Sequence, residues 1–118
     1  MRRPRGTRDL IGEELASIRY VERLMREVFK RYGYLEIETP IFENLELFTK
    51  KSGERVVKQL YSFRDKSGRD LALRPELTAP AVRVYVERFR SDPKPVKVFY
   101  LGPCFRYEEP QALSLIHI

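Results

Sequence analysis

From about Gly12 to Tyr32 the apolar residues Leu15, Ile18, Val21, Met25, Val28 and Tyr32 recur at steps of three or four. That spacing lines them up as one stripe on an α-helix. Arg19, Glu22, Arg23, Arg26, Glu27 and Lys30 fall mostly off the stripe, and Gly33 stands where a left-handed C-cap ends such a helix. A long helix with one apolar stripe has to cover something. A sheet, a second subunit or an ordinary core all satisfy it, and the sequence leaves the three open.

After Gly33 the period shortens. Tyr34–Thr39 alternates as a strand does, and Pro40, lacking a backbone donor, suits a strand end or edge. Ile41-Phe42 continues the extended path, Leu45–Lys51 reads as a short helix closed by Ser52-Gly53, and Glu54–Leu60 as another. Tyr61–Arg64 and Arg69–Arg74 are extended runs joined by the turn residues Asp65-Lys66-Ser67-Gly68, which predicts a hairpin. Leu77–Phe89 is helical again, with Thr78 as N-cap, Pro80 in the first turn, and Val82, Tyr85, Val86 and Phe89 as the buried face. Val96, Val98 and Tyr100 alternate with Lys97, Phe99 and Leu101 as a strand, Gly102-Pro103 breaks it, and Phe105–Glu108 is extended once more. Hairpins with helices to one side define an α+β fold on a mainly antiparallel sheet with flanking helices. Neither glycine fingerprint of a dinucleotide fold or a P-loop is present.

Composition narrows the chemistry. At 118 residues the chain is one small domain. Its net charge of +6 favours polyanionic partners, although acidic residues are spread among the basic ones and no dedicated nucleic-acid stripe stands out. Cys104 is the only cysteine and His117 the only histidine, so an internal disulfide and a multi-cysteine or two-histidine metal site are excluded. Cys104 reads as a small core residue. No apolar run is long enough to span a bilayer, and the basic start Met1–Arg5 has no apolar signal core behind it, so a cytoplasmic protein with no membrane partner is expected.

Two places can carry chemistry. At Arg74-Pro75-Glu76-Leu77-Thr78 a strand gives way to a helix, so Glu76 and Thr78 lie at a helix N-terminus beside a sheet. They can hold an ammonium group through one charge-assisted and one neutral hydrogen bond, or they can simply cap the helix. Arg106 and Glu108 stand two apart on an extended run and face the same way. They can read a phosphate and a neighbouring amine or hydroxyl, the guanidinium fork binding the phosphate bidentately, or form a lateral ion pair.

Four blocks in this order resemble the histidyl-tRNA synthetase family of class II aminoacyl-tRNA synthetases, over residues 5 to 111. Arg5-Gly6-Thr7-Arg8-Asp9 resembles its N-terminal Gly-Thr-x-Asp segment. The long helix with Tyr32-Gly33-Tyr34 and Ile37-Glu38-Thr39-Pro40 resembles motif 1. Leu73–Pro80 resembles the amino-acid-binding junction, and Tyr100–Gln111 the first half of motif 2. The resemblance implies that Pro40 belongs to a homodimer interface. It implies that Glu76 and Thr78 hold the α-amino group of histidine, that Arg106 acts catalytically on the α-phosphate of ATP, and that Glu108 lies near the adenine end of the nucleotide site. ATP with Mg²⁺ and tRNA(His) are the implied substrates, with no metal bound by the protein itself. Leu77 replaces a glycine and Glu109 an arginine common in the family. Residues 1–111 are expected to be the N-terminal part of the catalytic core and 112–118 an unmatched tail. Motif 3, the histidine-specific segments and the anticodon-binding domain have no counterpart in these residues, so this chain is expected not to complete aminoacylation alone. A synthetase-like regulatory subunit of ATP phosphoribosyltransferase is the alternative, against which the intact Arg106 and Glu108 speak.

Overall fold

The computed structural model describes residues 1–50 and 57–107. Two compact units divide it, Met1–Glu36 with Lys97–Phe99, and Ile37–Val96 with Tyr100–Ile118.

The first unit is built on helix α1, Glu13–Arg31. Glu13 and Glu14 occupy its first turn and Lys30 and Arg31 its last, each complementing the helix dipole. Its end is fixed by Gly33 at φ 84°. The Gly33 N–H donates to the Lys30 carbonyl at 3.0 Å and the Tyr34 N–H to that of Phe29 at 2.9 Å. This double closure is a Schellman motif, and the edge-on contact of the Phe29 and Tyr34 rings (5.4 Å) is its usual apolar companion. The chain leaves directly into β1, Leu35–Glu36, which pairs in parallel with β5, Val98–Phe99, putting Leu35 opposite Val98. Phe29 stacks on Phe99 at 4.9 Å, Phe99 is buried, and Arg26 donates to Glu36 at 2.8 Å. The expected strand over Val96–Leu101 is thus reduced to two residues, because its ladder partner is only two residues long. The parallel pairing was not expected from the hairpin pattern.

Helix α1 is not an ordinary core helix. None of its residues is buried, and Tyr20, Val21, Leu24 and Val28 are all at least 40% exposed. Leu15, Ile18 and Met25 of the stripe are half-buried.

The second unit contains β2 (Phe42–Asn44), the short helix α2 (Glu46–Thr49), the hairpin β3 (Ser62–Arg64) and β4 (Asp70–Leu73), and helix α3 (Thr78–Val84), which runs on as a π-helical turn over Tyr85–Phe89. The sheet is antiparallel in the order β2-β4-β3, with β4 central. Its register sets Glu43 and Ser62 opposite Ala72 and sets Phe42 opposite Leu73. The expected turn closes the hairpin. Gly68 takes φ 82°, and the Asp65 carboxylate accepts from the backbone N–H groups of Ser67 (2.9 Å) and Arg69 (2.8 Å). Phe48, Ala72, Pro75, Leu77 and Pro80 form the buried centre.

Two expectations about α3 are corrected. Thr78 is its first residue and does not cap it; the cap is Glu76, whose longer side chain reaches the first free N–H groups. Val82 and Val86 are 55% and 44% exposed, not buried, because the helix buries Leu77 and Pro80 at its start instead. The short helix expected over Glu54–Leu60 falls partly outside the described residues. So do Glu108 and the 112–118 tail.

Candidate functional site

The strand β4 ends at Leu73 and the next three residues build the site. Pro75 is fully buried and Arg74 is only 4% exposed, so the chain is fixed before α3 begins. Glu76 then folds back over the helix N-terminus. Its carboxylate accepts from the Thr78 N–H (2.5 Å) and from the Ala79 N–H through both oxygens (3.0 and 3.1 Å). These bonds satisfy donors that every helix start leaves open, and they hold the carboxylate in one place. Thr78, the first residue of α3, is exposed.

The Arg106 run lies against this junction. The Phe105 N–H donates to the Arg74 carbonyl at 2.9 Å, and the Tyr107 N–H donates to that of Gln59 at 2.8 Å. The backbone on both sides of Arg106 is therefore hydrogen-bonded, although no regular strand is formed there among the described residues. The Tyr61 and Tyr107 rings meet edge-on at 6.2 Å. Arg106 itself is half-buried.

Cys104 lies between the Pro103 carbonyl held by Arg74 and the Phe105 N–H that donates to the Arg74 carbonyl. Burial pushes its thiol up; the charges of Arg74 and Arg106 act in the opposite sense, and that of Glu76 adds to the rise. Arg74, Arg106 and Glu76 thus all act electrostatically on one half-buried thiol. The structure brings together two of the residues singled out in the sequence, Glu76 and Arg106. Pro40 is exposed, and its carbonyl accepts from Arg74 at 3.3 Å. Sequence reasoning missed Arg74 itself. Its only signal was an arginine in an apolar strand just before a proline.

Among the described residues no cluster of three or more His, Cys, Asp or Glu is arranged to hold a metal ion, and no helix is long and apolar enough to cross a membrane.

A strand-to-helix junction carrying a fixed carboxylate, beside a backbone-anchored run carrying an arginine, agrees with the catalytic fold of class II aminoacyl-tRNA synthetases. The family model described as histidyl-tRNA synthetase matches residues 6–116, and the chain belongs to that family. It is 59% identical over 109 residues to the histidine–tRNA ligase of Methanosarcina acetivorans, covering 92% of this chain and 26% of that protein. The apo histidyl-tRNA synthetase of S. aureus superposes with a TM-score of 0.79 at 40% identity, over 91% of this chain and 26% of that one. A Bacillus halodurans structure described as an ATP phosphoribosyltransferase regulatory subunit/histidyl-tRNA synthetase gives a TM-score of 0.79 at 28% identity, over 92% and 28%. The chain spans about a quarter of the length of the curated relatives it matches.

Proposed function

We propose that this chain provides the amino-acid and α-phosphate ends of the active site of a histidine–tRNA ligase. Histidine and ATP react to give histidyl-adenylate and pyrophosphate, and the histidyl group is then transferred from the adenylate to the 3′ end of tRNA(His), releasing AMP. The observation that carries this reading is the hydrogen bond from the Phe105 N–H to the Arg74 carbonyl at 2.9 Å, which sets the run carrying Arg106 against the junction where Glu76 is fixed.

Each residue has a defined task. The Glu76 carboxylate, held by two backbone N–H groups, keeps lone-pair capacity for the α-ammonium group of histidine, with the Thr78 hydroxyl as second acceptor. With the amino group held there, the histidine carboxylate is free to attack the α-phosphorus. Negative charge builds on the α-phosphoryl oxygens, and the Arg106 guanidinium stabilises it. Glu108 serves the adenine end. ATP arrives as its Mg²⁺ complex, the ion neutralising the phosphates of the leaving pyrophosphate. The exposed apolar residues of α1 fit a homodimer interface, and Pro40, exposed in the second unit, keeps the interface role that the resemblance implies for it. We place the protein in the cytoplasm. The relatives use a length about four times that of these 118 residues, so the residues alone are not expected to charge tRNA.

The test is histidine-dependent exchange of pyrophosphate into ATP, measured on the protein at the full length of its relatives. Arg106→Ala should lower the exchange by on the order of 10²–10³-fold. Exchange that does not need histidine, or that survives Arg106→Ala, overturns the assignment. The similarity to the Bacillus halodurans structure favours a second reading, a regulatory subunit. Histidine binding with no exchange would support it.

A further inference from the structure

The Arg74 guanidinium is buried, and every hydrogen-bond acceptor around it among the described residues comes from elsewhere in the chain. Nε donates to the Pro103 carbonyl at 2.8 Å. Nη1 donates to the Thr39 carbonyl at 2.9 Å, to the Thr39 hydroxyl at 3.3 Å and to the Pro40 carbonyl at 3.3 Å. Only an arginine fork serves acceptors diverging in this way; a lysine offers one nitrogen at one point. Among the described residues no carboxylate pairs with it. A buried cation answered only by neutral oxygens is a poor device for stability alone, since an apolar side chain of similar volume often does as well.

What the arginine holds is informative. Its side chain fixes Pro103, and its own carbonyl accepts from the Phe105 N–H at 2.9 Å. One residue thus grips the chain on both sides of Cys104, immediately before Arg106. Gly102 is shaped to the same guanidinium: a Cβ there would lie 2.5 Å from Nη2 and 3.3 Å from Cζ. The constraint is on space, because backbone strain is not the issue at this glycine.

We propose that Arg74 is a positioning residue for histidine activation, acting through Arg106. The guanidinium ties the Gly102–Phe105 segment to Thr39-Pro40 and to the junction that carries Glu76, and so sets the distance between the α-phosphate arginine and the amino-acid carboxylate. Gly102 belongs to the same device, as the residue that leaves the guanidinium its room. The proposal rests on the reading of Arg106 given above.

The experiment is a mutant cycle on the full-length protein, with adenylate formation as readout, rates normalised to titrated active sites, and KM measured separately for ATP and histidine. Arg74→Lys and Gly102→Ala should each reduce kcat or raise the KM for ATP, by up to on the order of 10²-fold together, as expected for a misplaced catalytic group. The KM for histidine should stay within about twofold, since Glu76 keeps its own backbone anchors. In the Arg106→Ala background either change should add little. In the Arg74→Lys background Gly102→Ala should also add little, because lysine has no atom at the Nη2 position. Should Arg74→Lys not fold, Gly102→Ala with Arg106→Ala asks the same question from the other side of the contact. Effects that multiply fully with Arg106→Ala, or that vanish on normalisation to active sites, overturn the positioning role. An Arg106→Ala variant with normal kinetics would instead overturn the reading on which it rests.

Discussion

Removing the cation of Arg83 should cost more than its surface position suggests. Arg83 lies on α3 and donates through Nη2 to Glu43 of β2 at 2.9 Å and through Nη1 to Glu87 at 3.2 Å. The Glu43 side chain is only 8% exposed and that of Arg83 27%. Burial works against the charge of Arg83, the bonds to Glu43 and Glu87 outweigh it, and its pKa ends up raised. Breaking a buried pair by deleting one partner typically costs about 3–5 kcal/mol, because the other charge is stranded. Two features lower that figure here. Arg83 is partly hydrated, and its buried Nε has no partner among the described residues, an omission worth about 1 kcal/mol or more that leaves with the side chain. Arg83→Met should therefore destabilise by about 2 kcal/mol. With an m-value near 2 kcal/mol/M in urea, the midpoint moves down by about 1 M. Glu43→Gln combined with Arg83→Met removes the stranded charge and should recover more than half of the loss. Equilibrium urea unfolding of the two variants decides the matter. A midpoint unchanged by Arg83→Met, or a double variant less stable than the single one, would refute the argument that Glu43 makes this pair matter.

Glu76→Ala should remove both the helix cap, costing about 1 kcal/mol in urea unfolding, and a histidine contact, raising the KM for histidine more than that for ATP. The Cys104 thiol, raised by burial, should react with Ellman's reagent at pH 8 more slowly than free cysteine; equal rates would contradict its burial. At Asp65 the Arg69 backbone N–H leads the groups that hold the carboxyl below its ordinary range, the Arg69 side chain and the Ser67 N–H following. Its folded-state value is the lower one, so its contribution is present above the unfolded value of about 3.9 and is lost as the pH falls through the folded value. Asp65→Asn should lower the melting temperature slightly at pH 7, and the difference from the parent should close in acid.

Local patterns were legible in the sequence and non-local ones were not. The stripe from Leu15 to Tyr32 with Gly33 beyond it described α1 to within a residue or two, because period and cap are both local. The hairpin of β3 and β4 followed from Asp65–Gly68 for the same reason. The parallel pairing of Leu35 with Val98 joins residues about sixty apart and leaves no local trace. Polar-apolar pattern also misjudged burial on α3. Val82 and Val86 are exposed, while charged Glu43 and Arg74 are buried, each satisfied by a partner far along the chain. Thr78 had the residue type of an N-cap, and Glu76 won because its carboxylate reaches two amides at once. Glu76 was singled out by its place at a strand-to-helix junction and Arg106 by its place on an aromatic-flanked extended run, and the roles proposed for them come from the family resemblance. Arg74 was missed because its importance lies in carbonyl oxygens, which every residue has.

The central claim is that Arg106 meets the α-phosphate of ATP. Its most direct test is the thermal stability of the protein with ATP·Mg²⁺ and histidine, alone and together, for the parent and for Arg106→Ala. A ligand at about a hundred times its dissociation constant stabilises the native state by about 2.7 kcal/mol, a shift of several degrees. The account predicts an ATP shift that shrinks or disappears in Arg106→Ala while the histidine shift persists. An ATP shift of the same size in both proteins would contradict it.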